Sequence, residues 1–129
     1  MSRADSARGI NRERQARKLL EADGWWVCRA AGSLGDADLV ALRWNSAPRL
    51  IEVKSTAAGP YAGFGPNDRD RLLIAAELAG AEPWLLWWPK RAKPVWIHGN
   101  QWPQRKASRE SPDPLEAELS SRAQGKDAA

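Results

Sequence analysis

The order of apolar and turn-forming segments predicts an α/β fold in which a central mixed β-sheet is flanked by helices. Three observations carry this reading. The segments run helix, three strands, helix, two strands, the alternation expected of layered α/β domains. Two of the strands are joined by a short turn, as in a hairpin. The chain has 129 residues, and its polar, proline-containing final stretch leaves room for one small core only.

Each element has its own signal. Ser6 to Asp23 predicts a helix with Ile10, Ala16, Leu19 and Leu20 on one face and Gly24 as its stop. Glu13 falls on that same face, where apolar groups belong. Trp25 to Ala31 is aromatic and β-branched, hence a strand, and Gly32 to Asp36 is turn-rich. Cys28, the single cysteine, excludes a disulfide within the chain and is expected as a buried thiol between Val27 and Arg29. Asp38 to Trp44 and Leu50 to Ser55 form the predicted hairpin, with Asn45-Ser46-Ala47-Pro48 as its turn. In the second of these strands Ile51, Val53 and Ser55 share one face, and Leu50, Glu52 and Lys54 share the other.

A loop from Ala57 to Pro66 carries two aromatics, Tyr61 and Phe64, and reads as a lid or merely a link. Pro66 suits the first turn of a second helix, Asp68 and Asp70 suit its positive end, and Gly80 ends it. Leu72, Leu73, Ala76 and Ala79 are its sheet-facing positions. Strands from Pro83 to Trp88 and Pro94 to Ile97 follow, joined by the basic turn Pro89 to Lys93. The domain is expected to span 1–97, with 98–129 a polar tail, largely disordered apart from a short helix near Leu115 to Arg122.

Charge narrows the function. The net charge is +4, and the excess sits in the N-terminal segment, where Arg3, Arg8, Arg12, Arg14, Arg17 and Lys18 outweigh Asp5 and Glu13. Lys90, Arg91 and Lys93 form a smaller basic group. Such clustering favours a polyanion as partner; a solvated basic helix is the plain alternative. The charged N-terminal residues and the shortness of the run Trp84 to Trp88 predict a cytoplasmic protein with no membrane association.

One histidine and one cysteine do not make an ordinary zinc site, a His98-based relay would lie at the edge of the ordered region, and no phosphate-cradling or dinucleotide-binding glycine motif is present. Carboxylates remain. Oxygen-only ligation suits Mg²⁺, with Mn²⁺ able to substitute. Asp38, at the start of one hairpin strand, and Glu52, in its partner, can converge on one ion. Lys54 shares a face with Glu52, within reach of an attacking water or of charge developing on phosphorus. The plain alternative is a solvent-facing Glu–Lys pair.

The combination is more specific than its parts. Gly9 to Glu13-Arg14, Arg29-Ala30-Ala31-Gly32-Ser33, Ala37-Asp38-Leu39-Val40-Ala41-Leu42 and Ile51-Glu52-Val53-Lys54, in that order and spacing, resemble the archaeal-type Holliday junction resolvases of the restriction-endonuclease-like PD-(D/E)XK nuclease superfamily. The similarity covers about residues 8 to 97. It implies Asp38 and Glu52 as metal ligands, Lys54 as the catalytic lysine, and Glu13 as a further acidic, metal-site group, although Glu13 could also form an exposed pair with Arg17. It implies that Arg14, Arg29 and Ser33 contact the scissile strand, beside Arg8 and Arg12 of the same basic segment. Ala37 departs from the proline often found before the aspartate, and Asp36 is a rival ligand.

The resemblance also implies a homodimer, since two symmetric nicks in a four-way junction suit two sites related by a two-fold axis. Trp84, Trp87, Trp88 and Trp96 are candidates for the dimer interface or for core. Tyr61 and Phe64 are candidates for wedging against unstacked bases or for covering the core. The function expected is a Mg²⁺-dependent endonuclease resolving four-way DNA junctions by paired symmetric cuts. A nuclease for other DNA structures, a non-catalytic DNA-binding module and a protein-interaction domain are the alternatives.

Overall fold

The computed structural model describes residues 3–30 and 37–104, with side chains described from Gly9 onward. The elements are α1 (Arg3–Ala22), β1 (Trp26–Arg29), β2 (Leu39–Leu42), β3 (Arg49–Ser55), α2 (Pro66–Ala79), β4 (Glu82–Trp88) and β5 (Val95–His98). The five strands form one sheet in the order β1-β2-β3-β4-β5. Pairing is antiparallel except between β3 and β4, which run parallel because α2 carries the chain back across the sheet. The expected mixed sheet between helices is therefore observed.

Alternation along the strands builds two cores. Ala16 and Leu20 of α1 pack on Trp25, Val27, Leu39, Ala41, Ile51 and Leu86, forming one face. On the other face, Leu72 of α2 joins Ala37, Phe64, Leu85 and Trp102. Adjacent residues of β4, Leu85 and Leu86, thus serve opposite layers, as a strand buried on both sides requires. Both helices end where predicted. Gly24 (φ 86°) follows α1 and donates its N–H to the Glu21 carbonyl. Gly80 (φ 64°) caps α2 from the left-handed region that glycine enters without a steric penalty.

Several expectations are corrected. Cys28 is exposed, because Val27 takes the inward position of β1 and its neighbours Trp26 and Cys28 must point to the opposite, uncovered face. Leu19 is likewise exposed, and the burial of α1 rests on Ala16 and Leu20. The ordered chain does not stop at Ile97. His98 closes β5, a 3-10 turn follows at Gly99–Gln101, and Trp102 is buried to 4% exposure, its ring edge-on to Phe64 at 5.0 Å and its indole N–H donated to the Ile97 carbonyl. The segment after β5 thus packs, through Trp102, into the second core. The helix expected near Leu115 to Arg122 lies outside the described residues.

The tryptophan-rich strand is explained by packing. Trp84, Trp88 and Trp96 pack, half-buried, against the first core and Trp87 against the second. The Arg49 guanidinium sits between the rings of Trp25 (4.4 Å) and Trp84 (5.0 Å), and Arg43 covers the outer face of the stack at Trp25 (4.2 Å). The Nε of Arg49 has no hydrogen-bond acceptor, so attraction to the indole faces is what compensates its burial. The most exposed tryptophans among the described residues are Trp26 and Trp44, at 63% and 90% exposure.

Candidate active site

The site lies at one end of the β2–β3 ladder. Leu39 pairs with Ile51, and extending that register by one residue sets Asp38 opposite Glu52. The Asp38 N–H donates to the Ile51 carbonyl (2.9 Å), and its Oδ2 accepts the Val53 N–H (2.8 Å). These two bonds, one on each side of Glu52 in β3, fix the aspartate against the strand. Lys54 follows on the same face, with its Nζ 3.4 Å from Glu52 Oε1. A Cβ added at Gly63 would lie 3.8 Å from that Nζ, and Gly63 has φ 74°, so the loop before α2 approaches the lysine at a position suited to glycine.

The other half of the site comes from the α1 side. Arg29 ends β1, and its Nε donates to Glu13 Oε2 at 2.7 Å. Ala30, the next residue, donates its N–H to the Asp38 carbonyl. Glu13 and Arg29 therefore lie within electrostatic reach of Asp38, as do Glu52 and Lys54 from the other face. This settles the place of Glu13: its partner is Arg29 across the sheet end, whereas Arg17 pairs with Glu21. Ile10, Glu13, Arg14, Arg17, Arg29 and Leu39 line a recess of about 230 Å³ there.

Burial pushes the carboxyl of Asp38 above its usual range, aided by Glu13 and opposed by the Val53 hydrogen bond. Burial and the neighbouring Asp38 push Glu52 up to about 7, while Lys54 pulls it down. Two desolvated carboxylates side by side favour a cation between them, and their oxygens are the donors that Mg²⁺ or Mn²⁺ prefers. Among the described residues no three His, Cys, Asp or Glu side chains gather closely enough to hold a metal ion. Glu13 is turned to Arg29. The pair Asp38–Glu52 fits a hard cation that keeps its remaining positions for water and phosphate oxygens.

The raised pKa has a consequence for stability. Without metal, the folded protein holds the Glu52 proton up to about pH 7, whereas the unfolded chain releases it near 4.5. Stability must fall as pH rises through that window, by on the order of 3 kcal/mol, and stay low above it. In chelator, the melting temperature of the wild type is expected to drop between pH 5 and 8, and that of Glu52→Gln to drop less. Parallel pH profiles would contradict the burial of that carboxyl.

The remaining predicted residues divide. Arg14 is exposed beside Arg29 on the recess, and Arg12 lies over the Trp88 ring at 4.7 Å. Arg8 is carried on α1, and Ser33 and Asp36 lie outside the described residues. Phe64 is corrected: at 1% exposure it is core and has no face to offer a base. Tyr61 is half-buried against the same core, with the buried Arg69 guanidinium over its ring at 5.3 Å. Arg69 itself, which bonds the Phe64 carbonyl at 2.7 Å and so anchors this loop, gave no signal in the sequence beyond being a helix arginine.

A mixed sheet between helices, with an aspartate and a Glu-x-Lys strand meeting at one end, defines a restriction-endonuclease-like fold. The protein model of the archaeal Holliday junction resolvases (Hjc) matches residues 4–109, and the chain belongs to that family. The crossover junction endodeoxyribonuclease Hjc of Methanocaldococcus jannaschii is 32% identical over 78 residues, covering 60% of this chain and 56% of that protein. A UPF0102 protein of Granulibacter bethesdensis is 35% identical over 78 residues, covering 57% and 49%. The chain thus spans about half the length of these curated relatives. The crystal structure of Archaeoglobus fulgidus Hjc, described as a Holliday junction resolvase from an archaeal hyperthermophile, superposes with a TM-score of 0.66 at 23% identity, over 77% of this chain and 79% of that one, which establishes the shared fold. No helix among the described residues is long and apolar enough to cross a membrane.

Proposed function

We propose that the chain is a structure-selective endonuclease that resolves four-way DNA junctions by Mg²⁺-dependent hydrolysis of one phosphodiester per subunit, acting as a homodimer. The observation that carries the reading is the convergence of buried Asp38 and Glu52 with Lys54 at the end of the β2–β3 ladder, in a chain of the junction-resolvase family. A binding module has no use for buried carboxylates that repel phosphate.

Asp38 and Glu52 would hold the metal, which when bound polarises the scissile phosphate and makes its water a stronger nucleophile. Asp38 is kept in place by the Val53 N–H. Lys54 presents its ammonium beside Glu52, where it stabilises negative charge growing on the phosphate oxygens. Arg29, held by Glu13, places a second cation at the sheet end to position the strand, with Arg14 beside it. The N-terminal basic residues supply the sequence-independent grip on neighbouring phosphates.

The reading is tested with labelled four-way junction, flap and linear duplex of matched sequence, each with Mg²⁺ and with chelator. Selective cutting of the junction, lost in chelator, is expected. Equal cutting of all three would assign the site to a general nuclease, and binding without cutting would leave a DNA-binding module.

A further inference from the structure

A second cleft lies at the far ends of β3 and β4, between them and α1. The register pairs Ser55 with Trp88, so the two parallel strands end together, and the chain beyond each turns outward. The space between them holds about 370 Å³. Arg12 of α1, Ser55, Thr56, Trp88, Lys90 and Arg91 line it. No acidic residue is among the described residues that line it.

The cleft is built rather than incidental. Arg12 is held at its wall by the Trp88 ring at 4.7 Å and by Gln15 Oε1, which accepts from its Nη1 at 2.8 Å. The Thr56 carbonyl accepts the indole N–H of Trp87 (2.9 Å) and its hydroxyl accepts the Ala58 N–H (3.0 Å), which fixes the loop leaving β3. Among the described residues neither Lys90 nor Arg91 has a carboxylate partner. Arg91 also occupies the left-handed region, with φ 59°. That conformation costs an arginine roughly 1 kcal/mol and a glycine nothing, so the turn alone would favour glycine.

Position sets the ligand. Ser55 and Thr56 follow Lys54 directly, about 3 to 7 Å further along the strand. Successive phosphates of one DNA strand advance about 3.4 Å along the axis. We propose that Arg12, Lys90 and Arg91 bind a backbone phosphate of the DNA one to three nucleotides from the scissile bond, with the Ser55 and Thr56 edge of the cleft receiving the sugar-phosphate. This rests on the nuclease reading of Asp38, Glu52 and Lys54, and it adds a contact that orients the strand entering that site. A phosphate held there lowers the concentration of DNA needed without taking part in bond breaking.

The test uses Lys90→Ala with Arg91→Gly, which removes both charges and leaves the turn in a conformation glycine adopts freely. Junction binding is measured in chelator over a range of salt, and cleavage at saturating DNA with Mg²⁺. The expected result is affinity lowered roughly tenfold at moderate salt, a plot of log affinity against log salt shallower by about one to two, and a maximal cleavage rate within about twofold of wild type. Lys93→Ala, which removes a charge from the same turn outside the cleft, is expected to change affinity less than threefold. A single neutral methylphosphonate is then walked through three nucleotides on each side of the cut. One position is expected to weaken the wild type while leaving the double variant unaffected. If the wild type binds and cuts the junction but the double variant keeps its affinity and salt slope, or if no methylphosphonate position depends on Lys90 and Arg91, the cleft is not a phosphate site and the nuclease assignment stands. A wild type that neither binds nor cuts DNA removes both.

Discussion

Glu52→Gln is expected to lower the rate of junction cleavage by at least about 1,000-fold, with binding in chelator unchanged or tighter. The magnitude follows from the role: loss of a ligand that holds a charge-stabilising cation forfeits several kcal/mol of transition-state stabilisation, and each 1.36 kcal/mol is a factor of ten. The direction of the binding effect follows from charge, because the variant removes an anion from a surface that meets phosphate. Asp38→Asn is expected to behave alike, since the amide oxygen can still accept the Val53 N–H while the carboxylate charge is gone. Single-turnover cleavage beside equilibrium binding measures both halves. Near-wild-type cutting by either variant would remove that residue from the metal site. Weakened binding with a lowered melting temperature would instead mark the carboxylate as structural.

Trp102→Ala is expected to destabilise the protein by about 3–5 kcal/mol, the usual cost of truncating a buried large aromatic, and to lower its melting temperature by roughly 10 °C or more. The ring closes the second core against Phe64, and its N–H satisfies the Ile97 carbonyl. Trp102→Phe keeps much of the apolar contact but loses the hydrogen bond and part of the ring volume, so it is expected to cost less than the alanine variant, about 1–3 kcal/mol. Denaturant melts of the two variants check this. Wild-type stability in Trp102→Ala would return the end of the domain to Ile97.

The two predictions bracket what was legible in the sequence. The succession of elements along the chain and both helix ends were readable because local chemistry decides them. Gly24 and Gly80 stop helices wherever they fall, and alternation in β3 separates Ile51 from Glu52 and Lys54 whatever the rest of the chain does. The strand that carries Glu52 and Lys54 stood out for the same reason, as charged side chains in a central strand conflict with its surroundings and need a purpose. Glu13 was visible as a carboxylate on an apolar helix face, but its partner was not. That partner, Arg29, reaches it only through a tertiary contact 16 residues away.

The rest failed where tertiary packing overrides local pattern. Trp102 sits in a polar, proline-bounded stretch that reads as tail, and only the second core shows why it is ordered. Phe64 lies in a glycine-rich loop that reads as a mobile lid, yet Arg69 ties its carbonyl down and Trp102 covers its ring. The tryptophans exceed what an aliphatic core needs because arginines stack between them, as with Arg49 between Trp25 and Trp84. Cys28 looked apolar by its neighbours, and which face of β1 is covered could not be known before α1 was placed.

On the proposed function two subunits, each through Asp38, Glu52 and Lys54, cut two opposed strands of a junction in one encounter. It is tested most directly with a supercoiled plasmid that extrudes a cruciform, in Mg²⁺, since two symmetric cuts made while the complex lasts yield linear DNA and a single cut yields a nicked circle. Linear product is expected as the main species, with none in chelator and none from the same plasmid relaxed so that the cruciform is absorbed. Nicked circles alone, or equal linearisation of the relaxed plasmid, would contradict it.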